Sequence, residues 1–555
     1  MHFPQETAPR PAETGRVHRP GRPAVRRATT GPDTGPDIGP LPLEWLGISA
    51  MLALVAFALW RNQHYFVDDA FITLRYARNL AQLGELSWNP GERVEGYTNF
   101  LHVVMAAGLM KLGLGGVAAL RLINFAALAG LMVLAVAAGR IVAPDHPARR
   151  GLALIATGAT PALAIWALGG LETVVVAAFL MAGLYALLRL AAGADARRAV
   201  IWAVLAFSLA VLTRMDSAIF IAGAGLAMII GLQMPLRHRL GMAALVVGIP
   251  AAVSLAHMGW RWSYYGELLP LTFHAKTGIP PEARLGFLDL YAIRTLLFAP
   301  VVALGLGALV AVVVTRRRPQ APPFLLLALP ALAHLAYVVW GGGDHFLGVR
   351  LLVPVVVPLG LILLMAACRL GPRGAGLTLT GAAAATGLSL VAVPPLSYDG
   401  AAFAGEVVGD HIAETWPEGS LVALHSAGAT PWRAPGMRYI DMLGLNDPVI
   451  AHRTPIPMRA IQQPLPGHLK GDGAYVLSRR PDYIIAGFAE GDLVEEGQFL
   501  SDVELAEAPE FARCYRLQQV DIAYTPRPYA PLRPLPNPLT FTYYERICRT
   551  EETAP

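Results

Sequence analysis

Long apolar runs, barely interrupted by charge, dominate the chain from about residue 44 to residue 393. They lie near 44–60, 119–142, 151–168, 172–190, 199–213, 217–233, 241–258, 288–314, 323–340, 351–368 and 374–393, and they approach the roughly 20 residues that carry a helix across a bilayer. Strands of a β-barrel would alternate in polarity, and these runs do not. The pattern predicts about eleven membrane-spanning helices over 44–395. A shorter run, 99–113, is flanked by polar residues and predicts a helix lying at the membrane interface. After about residue 395 the long runs stop. Short apolar stretches at Leu421–Leu424 and Tyr483–Ala486, divided by Pro- and Gly-rich pieces, predict strands in a soluble mixed α/β domain over 396–555.

Composition agrees with a polytopic α-helical membrane protein. Only 15% of the 555 residues are charged, against about 25% in a soluble chain. Where the charges fall matters more than their sum of +5. Segment 1–43 carries Arg10, Arg16, Arg19, Arg22, Arg26 and Arg27 among many prolines and glycines, which predicts a disordered cytoplasmic tail. It is too long and Pro-rich for the head of a cleaved signal peptide, and before a first span it sets orientation rather than binding nucleic acid. With the N-terminus inside and 99–113 not spanning, Arg149 and Arg150, Arg197 and Arg198, Arg237 and Arg239, Arg316, Arg317 and Arg318, and Arg369 and Arg373 all fall on the cytoplasmic side. The other face then collects the first loop 61–98, Gly169–Thr173, Thr213–Ser217, Tyr264–Lys276, Gly341–Arg350 and the C-terminal domain. The reading is a multi-pass protein of the cell (inner) membrane with an extracytoplasmic C-terminal domain. Cys368 reads as an inert residue of an apolar run. Cys514 and Cys548, if outside, are either a disulfide or two free thiols.

The outer loops hold the candidate chemistry. Asp68 and Asp69 follow the first span in FVDDAFITLRYARNL; partial desolvation there raises a carboxyl pKa and makes a better proton acceptor. Arg75, Arg78 and Arg93 are candidates to divide the roles of the two acids. The plainer reading is that one acid caps the helix starting near Ala70. In YYGELLPLTFHAK, His274 and Lys276 place cations near the bilayer, where an anion such as a lipid phosphate would offset their cost; a lysine reaching to the headgroups is the plain alternative. GGGDHFLGVRLLVP gathers Asp344, His345 and Arg350 beside three glycines. Arg350 can bind phosphate with two parallel bonds, or pair with Asp344, while Asp344 with His345 makes only a weak metal signal. Glu172 in GGLET and the Arg214–Asp216 pair in LTRMDS read as structural. In the C-terminal domain, Asp441, Asn446, Asp447, His468, Lys470 and Asp472 are candidates to hydrogen-bond sugar hydroxyls. No nucleotide-binding or zinc-protease motif is present, and nothing in the chemistry demands a cofactor or metal, though a divalent cation could join it.

The strings DDAFITLRYARNL, WNPGERVEGYTNF, GGLET, YYGELLPLTFHAK, GGGDHFLGVRLLVP and DMLGLNDP resemble those of the GT-C glycosyltransferases related to the mycobacterial terminal arabinofuranosyltransferase, over about residues 45–490. The resemblance implies a GT-C-like membrane domain, a decaprenyl-phosphate-type sugar donor and an extracytoplasmic glycan acceptor. It implies Asp68 or Asp69 as catalytic base, and His274, Lys276, His345 and Arg350 as donor-phosphate contacts. Glu95, Tyr97, Asn99, Asp344, Asp441, Asn446, His468 and Lys470 then face the acceptor or its sugar. Two strings depart from the family pattern: TRMDS, where TRPDG-like is expected, and Leu271, where an Asn often follows the proline. A transporter for a lipid-linked sugar, or an assembly factor on an old transferase scaffold, are the competing readings; the first calls for charges at the bilayer midplane and paired repeats.

Overall fold

Each apolar run forms helix over most of its length in the computed structural model, which describes residues 41–278, 281–315, 321–525 and 535–548. The N-terminal tail through residue 40, the Arg316–Arg318 cluster and most of the Pro-rich stretch near 530 lie outside the described residues. Among the described residues, eight helices are long and apolar enough to cross a membrane, or ten if each of two bent pairs is one span. Ser217–Gly231 is a shorter apolar helix.

The bends correct two readings of single straight spans. Pro147–Gly158 and Pro161–Leu168 meet at 48°, and Gly286–Phe298 and Pro300–Val314 at 101°. In each pair a proline opens the second helix. It has no N–H to bond back, and its ring drives the residue before it out of helical conformation. Elsewhere small residues let helices touch backbone to backbone. A Cβ on Gly47 would fall 2.2 Å from the Cα of Gly151, and one on Gly223 would fall 2.7 Å from the Cα of Pro330.

The two ends of the bundle differ in chemistry. At one end Glu44, 3% exposed, holds Arg140 at 2.7 Å and Arg150 at 2.5 Å, and Arg149 donates to the Cys368 carbonyl. At the other end of the first helix, Arg61 donates to the carbonyls of Val391 and Val393, and Asn62 accepts from the Leu396 N–H. There the C-terminal domain begins. The loops sorted to the outer face by charge gather at this second end.

The C-terminal domain carries a five-stranded sheet in the order β2-β1-β3-β5-β4. β1 (Leu421–Leu424) runs parallel to β2 (Arg438–Asp441) and β3 (Tyr483–Ile485); β5 (Leu539–Arg546) runs antiparallel to β3 and to β4 (Tyr515–Ile522). Two of the strands are the stretches read from sequence. Cys514 and Cys548 form a disulfide that ties the start of β4 to the end of β5.

This domain is built onto the first loop. The loop helix Asp68–Leu83 buries Arg75 between Trp88 and Tyr439, whose rings lie 5.4 and 4.9 Å from its guanidinium. Arg75 donates to the carbonyls of Trp88 and Pro431. The Asn89 amide bonds the edge strand β2 twice: it donates to the Tyr439 carbonyl at 2.8 Å and accepts from the Tyr439 N–H at 3.1 Å. An edge strand otherwise presents unpaired backbone groups; here one side chain satisfies both groups of Tyr439.

Candidate active site

The acid pair opens the loop helix instead of preceding it. Asp68 and Asp69 form its first turn, and the N-cap is Val67, without a side-chain bond. Neither acid caps its own helix, which corrects that expectation. Asp68 instead closes the start of a distant one. Its Oδ1 accepts the Ala429 N–H at 2.8 Å and its Oδ2 the Gly428 N–H at 3.1 Å, at the head of Ala429–Arg433. The Asp68 N–H donates to Asp399 Oδ2 at 3.3 Å. Burial pushes the Asp68 carboxyl up to about 7; the Ala429 N–H works against this, and the charges of Asp399 and Asp69 add to it. Asp399, which caps the helix Gly400–Thr415 after the last span, was not singled out by sequence, because its partner is 331 residues away.

The charge of Asp69 reaches two cations and two imidazoles on three other loops. Its charge acts on Lys276, on His345 and Arg350, and on His468. Burial lowers the Lys276 pKa, and Asp69 opposes that shift more than any other charge. Lys276 passes over Gly467, where a Cβ would come within 3.4 Å of its Cε. The rings of His345 and His468 lie 5.6 Å apart. Burial, then the neighbouring His345, presses His468 down to about 3, so it is a neutral imidazole at pH 7. His345 is lowered too, chiefly by burial.

Arg350 is held by an ion pair to Asp344, and its guanidinium lies 4.7 Å from the Phe346 ring. The glycines of this loop serve packing. Gly343 and Gly348 have φ of +77° and +84°; a Cβ on Gly343 would meet the Tyr291 ring at 2.8 Å, and the Gly348 carbonyl accepts the Trp166 indole N–H at 2.8 Å. Among the described residues, no third ligand joins Asp344 and His345 in a metal-binding group.

Beneath these groups the two strings read as structural meet. Arg214 bridges Glu172 at 2.8 Å and Asp216 at 2.6 Å, Tyr337 donates to Asp216 at 2.9 Å, and the Asn99 amide donates to Glu172 at 3.1 Å. Burial opposes the charge on Glu172, but Arg214, and after it His102 and Arg350, outweigh burial and hold the carboxyl below its usual value.

The structure divides the predicted site residues into two groups. Asp69, Lys276, His345, Arg350 and His468 converge, with Asp344 behind them. The others form the frame. Glu95 and Arg261, each 1% exposed, pair at 2.8 Å; burial still raises Glu95 to about 7. The Tyr97 and Tyr265 hydroxyls meet at 3.1 Å. Asp441 is spent on the N–H groups of Leu443 and Asn446 and on the Asn446 amide, while Asn446 Oδ1 accepts from the Tyr76 hydroxyl. Lys470 is buried and donates to the Arg453 carbonyl. His274 turns its ring to His452. The arginines expected beside the acids are engaged elsewhere: Arg75 as above, Arg78 on Trp432, and Arg93 over Tyr264.

Three comparisons bear on the assembly. A model for a domain of unknown function (DUF8728) matches residues 398–530. A 372-residue stretch is 27% identical to the terminal beta-(1->2)-arabinofuranosyltransferase of Mycobacterium tuberculosis, covering 57% of this chain and 55% of that protein. The chain thus spans about half the length of the curated relative it matches. Among solved structures, ArnT from Cupriavidus metallidurans bound to undecaprenyl phosphate aligns with a TM-score of 0.53 at 14% identity, over 90% of this chain and 97% of that one. The fold is therefore the GT-C-like membrane fold with a C-terminal α/β domain that the loop strings imply.

Proposed function

We propose that this chain is a membrane glycosyltransferase that moves a sugar, arabinofuranose by its sequence relative, from a polyprenyl-phosphate carrier to a glycan acceptor outside the cytoplasm. The observation that carries the reading is the division within the acid pair. Both Asp68 oxygens are bound to backbone N–H groups, while the charge of Asp69 acts on Lys276, His345, Arg350 and His468. One carboxylate near two cations, Lys276 and Arg350, and two imidazoles at a membrane surface suits the displacement of a lipid phosphate.

In this mechanism the acceptor hydroxyl attacks the anomeric carbon, and its proton passes to Asp69. The bond from that carbon to the phosphate oxygen breaks, and the lipid phosphate leaves with the electron pair. Lys276 and Arg350, with an N–H of His345, stabilise the charge that grows on the phosphate. A single displacement inverts the anomeric centre. No cofactor enters, because the leaving group is already a stable anion. Support for the donor class comes from the fold shared with a structure holding undecaprenyl phosphate, and support for the sugar from the relative's activity. Charged groups cluster at helix ends, as a transferase at the membrane surface requires. The orientation adopted is N-terminus cytoplasmic, in the inner membrane.

The test is radiolabelled transfer by purified protein in detergent, from decaprenyl-phosphoryl arabinofuranose to a short arabinan. Wild-type transfer that is lost in Asp69→Asn supports the reading. Transfer only from a mannose or glucose carrier would correct the sugar. No transfer from any polyprenyl-phosphate donor by folded protein would overturn it.

A further inference from the structure

Two short helices meet where the membrane domain joins the outer domain. Leu271–Lys276 lies against Pro448–His452, and the contact is small and apolar: Leu271, Ala275 and Ala451 are buried together with Val94 and Leu445 against them. On this packed base sit three side chains outside the acid cluster. The rings of His274 and His452 lie 4.3 Å apart, tilted at 42°. Glu267 Oε1 is 2.9 Å from His452 Nε2. One ligand atom from each of the three lies within 4.8 Å of the others.

We propose that Glu267, His274 and His452 bind one divalent transition-metal ion of the zinc class, bridging the loop 264–276 to the outer domain. Two imidazoles and a carboxylate are a donor set for such an ion. Bonds of about 2.0–2.2 Å in tetrahedral geometry place ligand atoms roughly 3.3–3.5 Å apart, so closure takes side-chain rotation of about 1 Å and no backbone movement. The backbone is already fixed. The apolar cluster holds both helices, the Asp447 side chain caps the second, and the Thr277 hydroxyl donates to the His274 carbonyl at 3.1 Å. A plain Glu267–His452 hydrogen bond accounts for two of these residues but not for the His274 ring set against His452. The three side chains are partly exposed, which leaves the fourth position to water.

The bridge has a consequence for the acid cluster. Lys276 is two residues beyond His274 on the same short helix, and it reaches over Gly467 toward Asp69. An ion on His274 would fix the segment that presents Lys276.

Full-length, tag-free protein in detergent, stripped with chelator, would be titrated with Co2+ and then Zn2+. The expected result is one equivalent of Co2+ with the visible bands of a four- or five-coordinate site, displaced by Zn2+. Outer-shell changes at metal sites cost about 10- to 100-fold in affinity, so loss of a direct ligand in His274→Ala or His452→Ala should cost at least that and abolish the bands. Glu267→Gln keeps the shape of the side chain, guards against a variant that does not fold, and should also weaken binding. His411→Ala, a partly exposed histidine elsewhere in the outer domain, should bind as wild type. Absence of stoichiometric Co2+ binding to wild type, or binding and bands unchanged in Glu267→Gln and in the two alanine variants, would overturn the proposal. The readout is independent of glycosyl transfer.

Discussion

The carboxylate of Asp68 accepts the N–H of Ala429, 361 residues further along the chain. With the second bond to Gly428, it fastens the first loop helix to the C-terminal domain, and in the proposed mechanism the neighbouring Asp69 is the base. Asp69→Asn should therefore lower kcat about 100- to 10,000-fold, the range for a positioned general base, and leave the unfolding midpoint unchanged. Asp68→Ala should behave in the opposite sense. It removes a charged acceptor from two N–H groups and should cost about 2–3 kcal/mol of stability, read as a lower unfolding midpoint in detergent. Equal loss of activity with unchanged stability in both variants would refute this division.

Gly428 tests the same junction from the other side. A Cβ there would fall 2.1 Å from the Asp68 carbonyl oxygen and 2.6 Å from its carboxylate. Its φ of −97° lies outside the left-handed region, and the close approach to Asp68 leaves no room for a side chain. Gly428→Ala should push the outer domain off the loop helix. Limited proteolysis near residue 396 should become faster, and transfer should fall together with it.

Arg75 should not tolerate lysine. Its planar guanidinium lies between Trp88 and Tyr439 and donates to two carbonyls, while a lysine offers one compact charge. Arg75→Lys should destabilise by about 2–4 kcal/mol, as expected for a buried charge stripped of part of its bonding. Unfolding in urea at constant detergent measures this.

Glu95 separates frame from binding. If the buried pair with Arg261 is its role, Glu95→Gln should lower stability by about 3–5 kcal/mol, the cost of leaving one buried charge without its partner. A Glu95→Leu, Arg261→Met double variant should recover most of the loss. If Glu95 binds acceptor, Glu95→Gln should instead raise KM in a protein of normal stability.

His468 predicts an acid limit. Its folded pKa lies near 3, below the unfolded value near 6.5. The folded state therefore binds fewer protons, and the stability tied to neutral His468 is present above about pH 6.5 and is lost as pH falls from there toward 3. His468→Gln should flatten this part of the stability–pH profile. An unchanged slope would mean that the ring opens to solvent before it is protonated.

The membrane helices were legible in sequence because a run without charge over about 20 residues has few other uses. The breaks at 48° and 101° were marked only by Pro161 and Pro300, which a composition window averages away. Sorting the loops by arginine placement brought Lys276, His345 and Arg350 to the face of Asp69 without any coordinate. What local sequence could not supply was partnership at long range. Asp68 and Asp69 are adjacent and chemically alike, and only the amides of residues 428 and 429 distinguish them. Asp441 and Lys470 looked like sugar ligands because turn chemistry and binding chemistry use the same residues; their bonds to Asn446 and to the Arg453 carbonyl assign them to the turns. Arg75 looked like a partner for the acids, and its actual partners are aromatic rings and carbonyls, one set of them more than 350 residues away.

The span of that Asp68–Gly428 fastening bears on how the protein is made. The acid pair leaves the ribosome early, and the amides that fix its helix are 360 residues behind it. Every helix of the bundle must be threaded before they arrive. Until then the nascent polypeptide holds an acid-bearing loop without the two bonds that tie it to the C-terminal domain. A translation product cut short anywhere before residue 428 would lack this strap and, on the proposed function, should transfer no sugar.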